Sequence, residues 1–349
     1  MKLGNISTFA LNNNLRLQFT RMHNNLADAQ KEVATGKKAD IGYSLGSFSS
    51  STITVDNQIS FIEQTKVTNS FVENRLSTMQ ISMGAMVDDA NQFIASLTAE
   101  LTGSMNKDVL NLAASSALGK FSSSMNVSQG GEFLFSGINS DSEAIYDYQG
   151  ATGAAAKAAV QNAFVTEFGF SVNDPSASSI TPAAMKSFID GAFSDLFNDA
   201  NWDSLWTGSS DRGMRSKIST RELVENPVTG HAKAFRDFTA SSVLIEEFAD
   251  GNLNSTTINQ LAESSISLMA QSISGIAIEQ SKMGVIEQRV SDATERLDFQ
   301  KNVLTDQMSQ LTDVDSYEAA TRLNQIVIGL EASYAATVKV QSLSILNFI

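Results

Sequence analysis

Proline placement limits the fold of this chain more than any other feature. All three prolines, Pro175, Pro182 and Pro227, fall between residues 151 and 240, and the chain on either side has none. An interior proline costs a helix about 3 kcal/mol, because it removes a hydrogen bond and clashes with the preceding turn. The two proline-free flanks are therefore open to long, uninterrupted helix. Both tryptophans, Trp202 and Trp206, share the proline window, which reads as a compact, aromatic-rich insert between helical flanks.

Heptads run through both flanks. Leu15, Phe19, Met22, Leu26, Ala29 and Val33 alternate steps of four and three. A second series runs Val72, Leu76, Met79, Met83, Met86, Ala90, Phe93, Leu97, and a third from Met283 through Ile286, Val290, Ala293 and Leu297 to Leu311. Leu323, Ile326 and Leu330 form a fourth, widened by Tyr334 and Val338. Such spacing keeps one apolar seam facing a partner helix. At ~1.5 Å per residue, 52–101 makes a rod of ~75 Å and 256–311 one of ~84 Å. Lying antiparallel, with a third helix around 106–128, they make a bundle, and the arms 3–35 and 316–349 emerge together.

Local signals mark the boundaries. Gly36 ends the first arm, with Lys37 and Lys38 beside the helix C-terminus. Ser255, Thr256 and Thr257 offer N-caps for the long third helix, and Asp315 and Glu318 stand at capping-box spacing before the last. EFLFSGINSDSEAIYDY, after Gly130-Gly131, predicts two short strands joined by a polar turn. In the insert, Thr181-Pro182 starts a helix with Phe188, Ile189, Phe193, Leu196 and Phe197 on its apolar side. Residues 215–224 read as a strand and 231–249 as a helix. The expected fold class is mainly α: a long antiparallel helical bundle or coiled coil from the two flanks, a small β-hairpin, and an inserted α+β outer domain. Three domains are expected: 1–42 with 314–349 for assembly, 43–150 with 242–313 as the bundle, and 151–241 as the variable outer domain.

Charge separates the parts and excludes several functions. The chain carries a net −14, a sign that repels phosphate backbones, and no basic patch argues for nucleic acid. Residues 1–40 are net +3 and 316–349 neutral, which leaves −17 on the body between them. From Val340 onward the run VQSLSILNFI, with Leu343 and Leu346, has no charge, and exposed apolar surface of that kind invites association. No cysteine and only two histidines, His23 and His231, are present, which excludes thiolate nucleophiles, disulfides and Cys-ligated metals. Asn12–Asn14 interrupt the apolar stretch a signal peptide would need, and 264–278 is too short and polar to span a bilayer. No cofactor and no membrane insertion are expected.

Each candidate for chemistry has a plainer explanation. Asp313, Asp315 and Glu318 read as acids at the positive end of a helix before they read as a metal site. Asp88 and Asp89 diverge by about 100° on a helix and read as a solvated edge. His231 has no G-x-S-x-G elbow to serve, and reads as a surface residue at a helix start. His23 flanks the first seam. Gly130-Gly131 is no phosphate loop, and the methionines are packing residues at seam positions.

The flank motifs together resemble the flagellin superfamily. They are NNNLRLQFTRMHNNLADAQKEVATGKKADIG, GEFLFSG (Gly131–Gly137) and DVDSYEAATRLNQIVIGLEASYAATVKVQSLSILNFI. Within it they resemble most the bacterial hook–filament junction proteins, hook-associated protein type 3, of the alphaproteobacterial kind. Where flagellins show an arginine-rich signature, ATGKKADIGYSLG stands here. The resemblance implies a non-enzymatic structural adaptor of the extracellular flagellum, exported through the flagellar type III channel. It implies a homo-oligomeric ring between the first hook–filament junction protein and flagellin, and an export chaperone on the C-terminal helix. The assembly interface expected is Leu15, Phe19, Met22 and Leu26 against Leu323, Ile326, Leu330 and Tyr334, continued by Leu343 and Leu346. Three alternatives stay open at this point: a flagellin-type filament subunit, an enzyme carried on the insert, and a cytoplasmic coiled-coil scaffold.

Overall fold

The computed structural model describes the backbone of residues 8–103 and 106–346, and the side chains of 13–103 and 106–339. The helices are α1 (Thr8–Thr35), α2 (Ile41–Leu45), α3 (Ser49–Thr102), α4 (Lys107–Met125), α5 (Ala154–Phe168), α6 (Pro182–Phe188), α7 (Asp199–Leu205), α8 (Lys233–Phe248), α9 (Ser255–Thr312) and α10 (Ser316–Leu346). Four short strands, β1 (Ser128–Gln129), β2 (Glu132–Phe133), β3 (Arg215–Lys217) and β4 (Leu223–Glu225), pair as two antiparallel hairpins. The fold is mainly α, as the proline-free flanks require. No helix among the described residues is long and apolar enough to cross a membrane.

The described chain forms two compact units, one from residues up to Gln64 together with those from Leu297, the other Thr65–Arg296. In the second unit the predicted seam of α3 is the core. Leu76, Met79, Met83, Met86, Ala90, Phe93 and Leu97 are all buried, in one cluster with Leu110, Ala114 and Phe121 of α4 and Met269, Ile276 and Met283 of α9. The insert keeps no core of its own, because Phe188, Phe193, Trp202 and Trp206 belong to the same cluster. Helix α8 is the reason: eleven of its sixteen residues are buried. Phe238 of α8 stacks on Phe121 of α4 with ring centroids 4.2 Å apart. On its other contacts, Ser241 and Ser265 of α9 exchange hydroxyl bonds at 2.8 Å, and Ser272 donates to Ala234 O at 2.7 Å.

Several local expectations need correction. The first hairpin turns at Gly130-Gly131, one step earlier than expected, pairing Ser128 with Phe133. Both glycines have positive φ, 63° and 87°, the geometry a two-residue hairpin loop demands. The rest of EFLFSGINSDSEAIYDY runs in turns. Residues 215–224 make most of a hairpin, with Arg215 opposite Glu225, in place of one strand. The cap of α9 is Asn254, whose Oδ1 accepts from Thr257 N at 2.9 Å, one residue before the expected set. In the insert Thr181 caps α6 through Ala184 N, and the chain then widens into a π-turn at Ile189–Phe193 that keeps both Phe188 and Phe193 buried.

Candidate assembly interface

The first unit holds the expected arms. Helix α1 ends at Gly36, whose φ of 68° only glycine adopts freely and whose N–H returns to Glu32 O at 2.8 Å. The two connecting segments then cross as a short antiparallel bridge. Lys38 N donates to Thr312 O at 2.8 Å, Val314 N donates to Gly36 O at 2.9 Å, and Lys37 faces Asp313. Lys38 Nζ reaches Leu311 O at 2.7 Å, a cation on the C-terminal carbonyls of α9. Asp315 Oδ1 accepts from Tyr317 N at 2.8 Å and Glu318 N at 3.1 Å, the predicted cap of α10. A hydrogen bond from Ser309, then one from Thr312 and the charge of Lys37, hold the Asp313 carboxyl below the usual aspartate range. The acids are thus spent on the helix ends, and no group of three or more metal-ligating side chains occurs among the described residues.

An ion pair that sequence reading passed over sits at the base of the arms. Glu32 is 8% exposed and accepts from Arg322 Nη1 of α10 at 3.1 Å and from Ala39 N at 3.3 Å. The other guanidinium nitrogen reaches Glu318 at 2.8 Å. Glu32 occupies the inward position where the heptad count puts Val33, and Val33 is 42% exposed. The seam thus turns by one residue at its last step. Glu32 stands three residues after Ala29, a step the seam allows, but its charge argued against an inward position.

Further along, ring and polar contacts join α1 to α10. Phe19 and Tyr334 stack with centroids 5.0 Å apart, a geometry worth about 0.5–1.5 kcal/mol beyond burial. Tyr334 Oη and His23 Nε2 are hydrogen-bonded at 3.1 Å, so His23 is a contact between the arms. Met22 lies over Gly329, where an added Cβ would be 3.5 Å from its methyl, and Ser333 Oγ approaches its sulfur at 3.7 Å. Leu15, Phe19, Met22, Leu26, Leu323, Ile326 and Leu330 are only half-buried, and Tyr334 is 46% exposed. Leu15, Phe19 and Met22 with Ser333, Ala336 and Thr337 line a groove of about 170 Å³. Leu17, Ile328 and Val338 add uncovered apolar surface. Leu343 and Leu346 lie outside the residues whose side chains are described. Among the described side chains, α1 and α10 leave this seam partly open.

In the second unit the residues singled out make internal contacts. His231 Nδ1 faces Asp203 at 3.3 Å, while Nε2 faces the backbone oxygen of Ser209 at 3.1 Å, so no hydroxyl is poised for attack. Asp89 pairs with Lys120 at 2.9 Å. Both indoles are buried and hydrogen-bonded, Trp202 to Gly230 O at 3.0 Å and Trp206 to Leu196 O at 2.9 Å. Tyr148 stacks on Trp206, and burial, reinforced by Glu247, pushes its phenol far above the usual range.

Comparison with known proteins finds matches in both flanks. The bacterial flagellin N-terminal helical region matches residues 6–140, and the bacterial flagellin C-terminal helical region matches 266–349. Among solved structures, one described as a flagellar hook-associated protein from Vibrio parahaemolyticus aligns with a TM-score of 0.51 at 10% identity, covering 76% of this chain and 97% of that one. At that identity the likeness is one of fold. A search of curated proteins returned no match. With both helical regions present and together spanning more than half of its length, and with its terminal arms paired, the chain belongs to the bacterial flagellin family, as a structural protein of the flagellum.

Proposed function

We propose that the chain is a flagellar adaptor, a homo-oligomeric ring that joins the first hook–filament junction protein on the hook side to flagellin beyond. The observation that carries this reading is the unfinished seam between α1 and α10. Among the described residues its side chains are half-covered and its groove is open, which supports completion of the seam by sister molecules. Taking each half-covered side chain to full burial contributes about half of the ~1.5–3 kcal/mol of a full transfer from water, less the entropy of ordering the arm. GEFLFSG and ATGKKADIGYSLG, the latter in place of an arginine-rich signature, favour the junction branch, and the likeness to a hook-associated protein agrees. Export by the flagellar type III route, with a chaperone on α10, goes with this reading, and no catalysis is required of it.

Deleting residues 316–349 should leave a folded body that no longer joins hooks to filaments. Normal filament attachment with that truncation would overturn the adaptor reading. The second reading is a filament subunit, favoured by the match to flagellin's own helical regions. Long filaments grown from the purified chain on added seeds would establish it in place of the adaptor.

A further inference from the structure

We propose that the hollow where the π-turn Ile189–Phe193 meets α8 and α9 is a binding site for a small organic ammonium ion, with Asp237 receiving the charge and an apolar floor holding the rest. The hollow has a volume of about 330 Å³, within the range of small-molecule sites. The π-turn makes its floor. Its ring is one residue wider than an α-turn, with Ser194 N donating to Ile189 O, and it keeps both Ile189 and Phe193 buried. Such turns occur frequently at functional sites. Phe197 and Leu268 complete the apolar surface. On the α9 side Ser264, Ser267 and Gln271 supply hydroxyl and amide groups, and on the α8 side stands the Asp237 carboxylate. An apolar floor with a few converging polar groups is the usual make-up of a ligand site.

Charge selects the class of ligand. Lys186 and Asp190 pair with each other at 2.9 Å, both more than half exposed, and so cancel at the rim. Asp237 remains as the third charged residue lining the hollow, with a side chain only 14% exposed. Its partner Lys233 does not line the hollow. That lysine reaches the carboxylate at 2.6 Å from one helical turn away and is 76% exposed, so it can move into water without loss of packing. Arg236 turns elsewhere, to Asp199 and to His231 O. Burial nevertheless keeps the Asp237 carboxyl above its ordinary range, so one lysine does not replace the hydration it has lost.

A cation entering the hollow gives that carboxylate a further charged donor, and a chain at net −14 favours its arrival. The other classes of ligand fit worse. An anion would meet Asp237 and Asp190, and a wholly apolar molecule would cover the carboxylate, hydroxyls and amide without pairing them. An ammonium head on an apolar body answers both the carboxylate and the floor. This inference is independent of the assembly proposed above, because the site lies within one copy of the chain.

The test titrates 2-phenylethylammonium into the full, unassembled chain and reads binding by saturation-transfer NMR. Saturation is expected with a Kd of about 1 mM, an ordinary efficiency for a probe of about nine heavy atoms, and no saturation by about 20 mM would overturn the proposal. 2-Phenylethanol, its neutral counterpart, and phenylacetate, an anionic one, should bind about tenfold more weakly or worse. Equal binding of either would overturn the ammonium assignment. Asp237→Asn should weaken the ammonium probe by about tenfold while leaving 2-phenylethanol unchanged, a split that general distortion of the hollow would not produce. Unchanged affinity, or equal loss for both probes, would remove Asp237 from the site. Ser267→Trp, at an exposed position on α9, should fill the hollow and abolish binding with an unchanged circular dichroism spectrum. Binding that survives this substitution would place the site elsewhere and overturn the proposal.

Discussion

Arg322→Ala is the perturbation that best tests how the arms are held. The structure gives Glu32, 8% exposed, two donors, Arg322 Nη1 at 3.1 Å and Ala39 N at 3.3 Å. Removing the arginine leaves a nearly buried carboxylate with one long hydrogen bond. A stranded buried acceptor costs about 1–3 kcal/mol. The arginine side chain is itself 49% exposed, and solvent screening brings the expected loss to the lower half of that range, about 1–2 kcal/mol. Glu318→Ala removes only the exposed i,i+4 partner of the same guanidinium, worth about 0.3–0.5 kcal/mol. Native-state amide exchange over α1 reads the difference directly, since 1.4 kcal/mol is a factor of ten. Arg322→Ala should raise exchange about five- to thirtyfold, and Glu318→Ala about twofold. The double variant Glu32→Ala, Arg322→Ala should recover part of the loss, because no charge remains buried. Equal effects of the two single variants, or strict additivity in the double, would refute the reasoning.

Two further outcomes follow from packing and burial in the second unit. A Cβ at Gly275 would stand 2.8 Å from Ala234 Cβ, whereas one at Gly284, on the same helix, meets nothing within 4 Å. Gly275→Ala should therefore lose about 1–3 kcal/mol to overpacking, set against roughly 1 kcal/mol of helix propensity, while Gly284→Ala should gain up to about 1 kcal/mol; urea unfolding with matching signs would contradict this. Burial raises the Asp237 carboxyl above its ordinary range despite Lys233 at 2.6 Å. A folded-state value above the unfolded one means stability that is full at acid pH and lost as pH rises through the raised value. Asp237→Asn should accordingly raise Tm relative to the parent as pH goes from 3 to 7, and a difference that is flat or falls with pH would exclude burial as the governing effect.

Much of this architecture was legible in the chain because helices are local. Absence of proline, steps of three and four, and caps such as Gly36 and Asp315 place α1, α3, α9 and α10 within a few residues of their described ends. Their seams follow from the same counting, and seven of the eight α3 seam residues are buried as counted. The pair Phe19 and Tyr334 was likewise foreseeable, since each lies on the seam of its own helix.

What counting along the chain could not reach is set by contacts between residues far apart in sequence. Glu32 displaces Val33 from the seam because Arg322, 290 residues away, is there to meet it. Helix α8 joins the insert to the bundle because Phe121 and the small residues Ser265, Ser272 and Gly275 let it approach closely, a fit no local pattern encodes. Periodicity by itself thus determined the long helices of the two flanks and most of their apolar faces. Only the tertiary structure decided which of those faces are closed within one molecule and which stay open to another, because burial depends on what lies opposite, and that is a property of the folded whole.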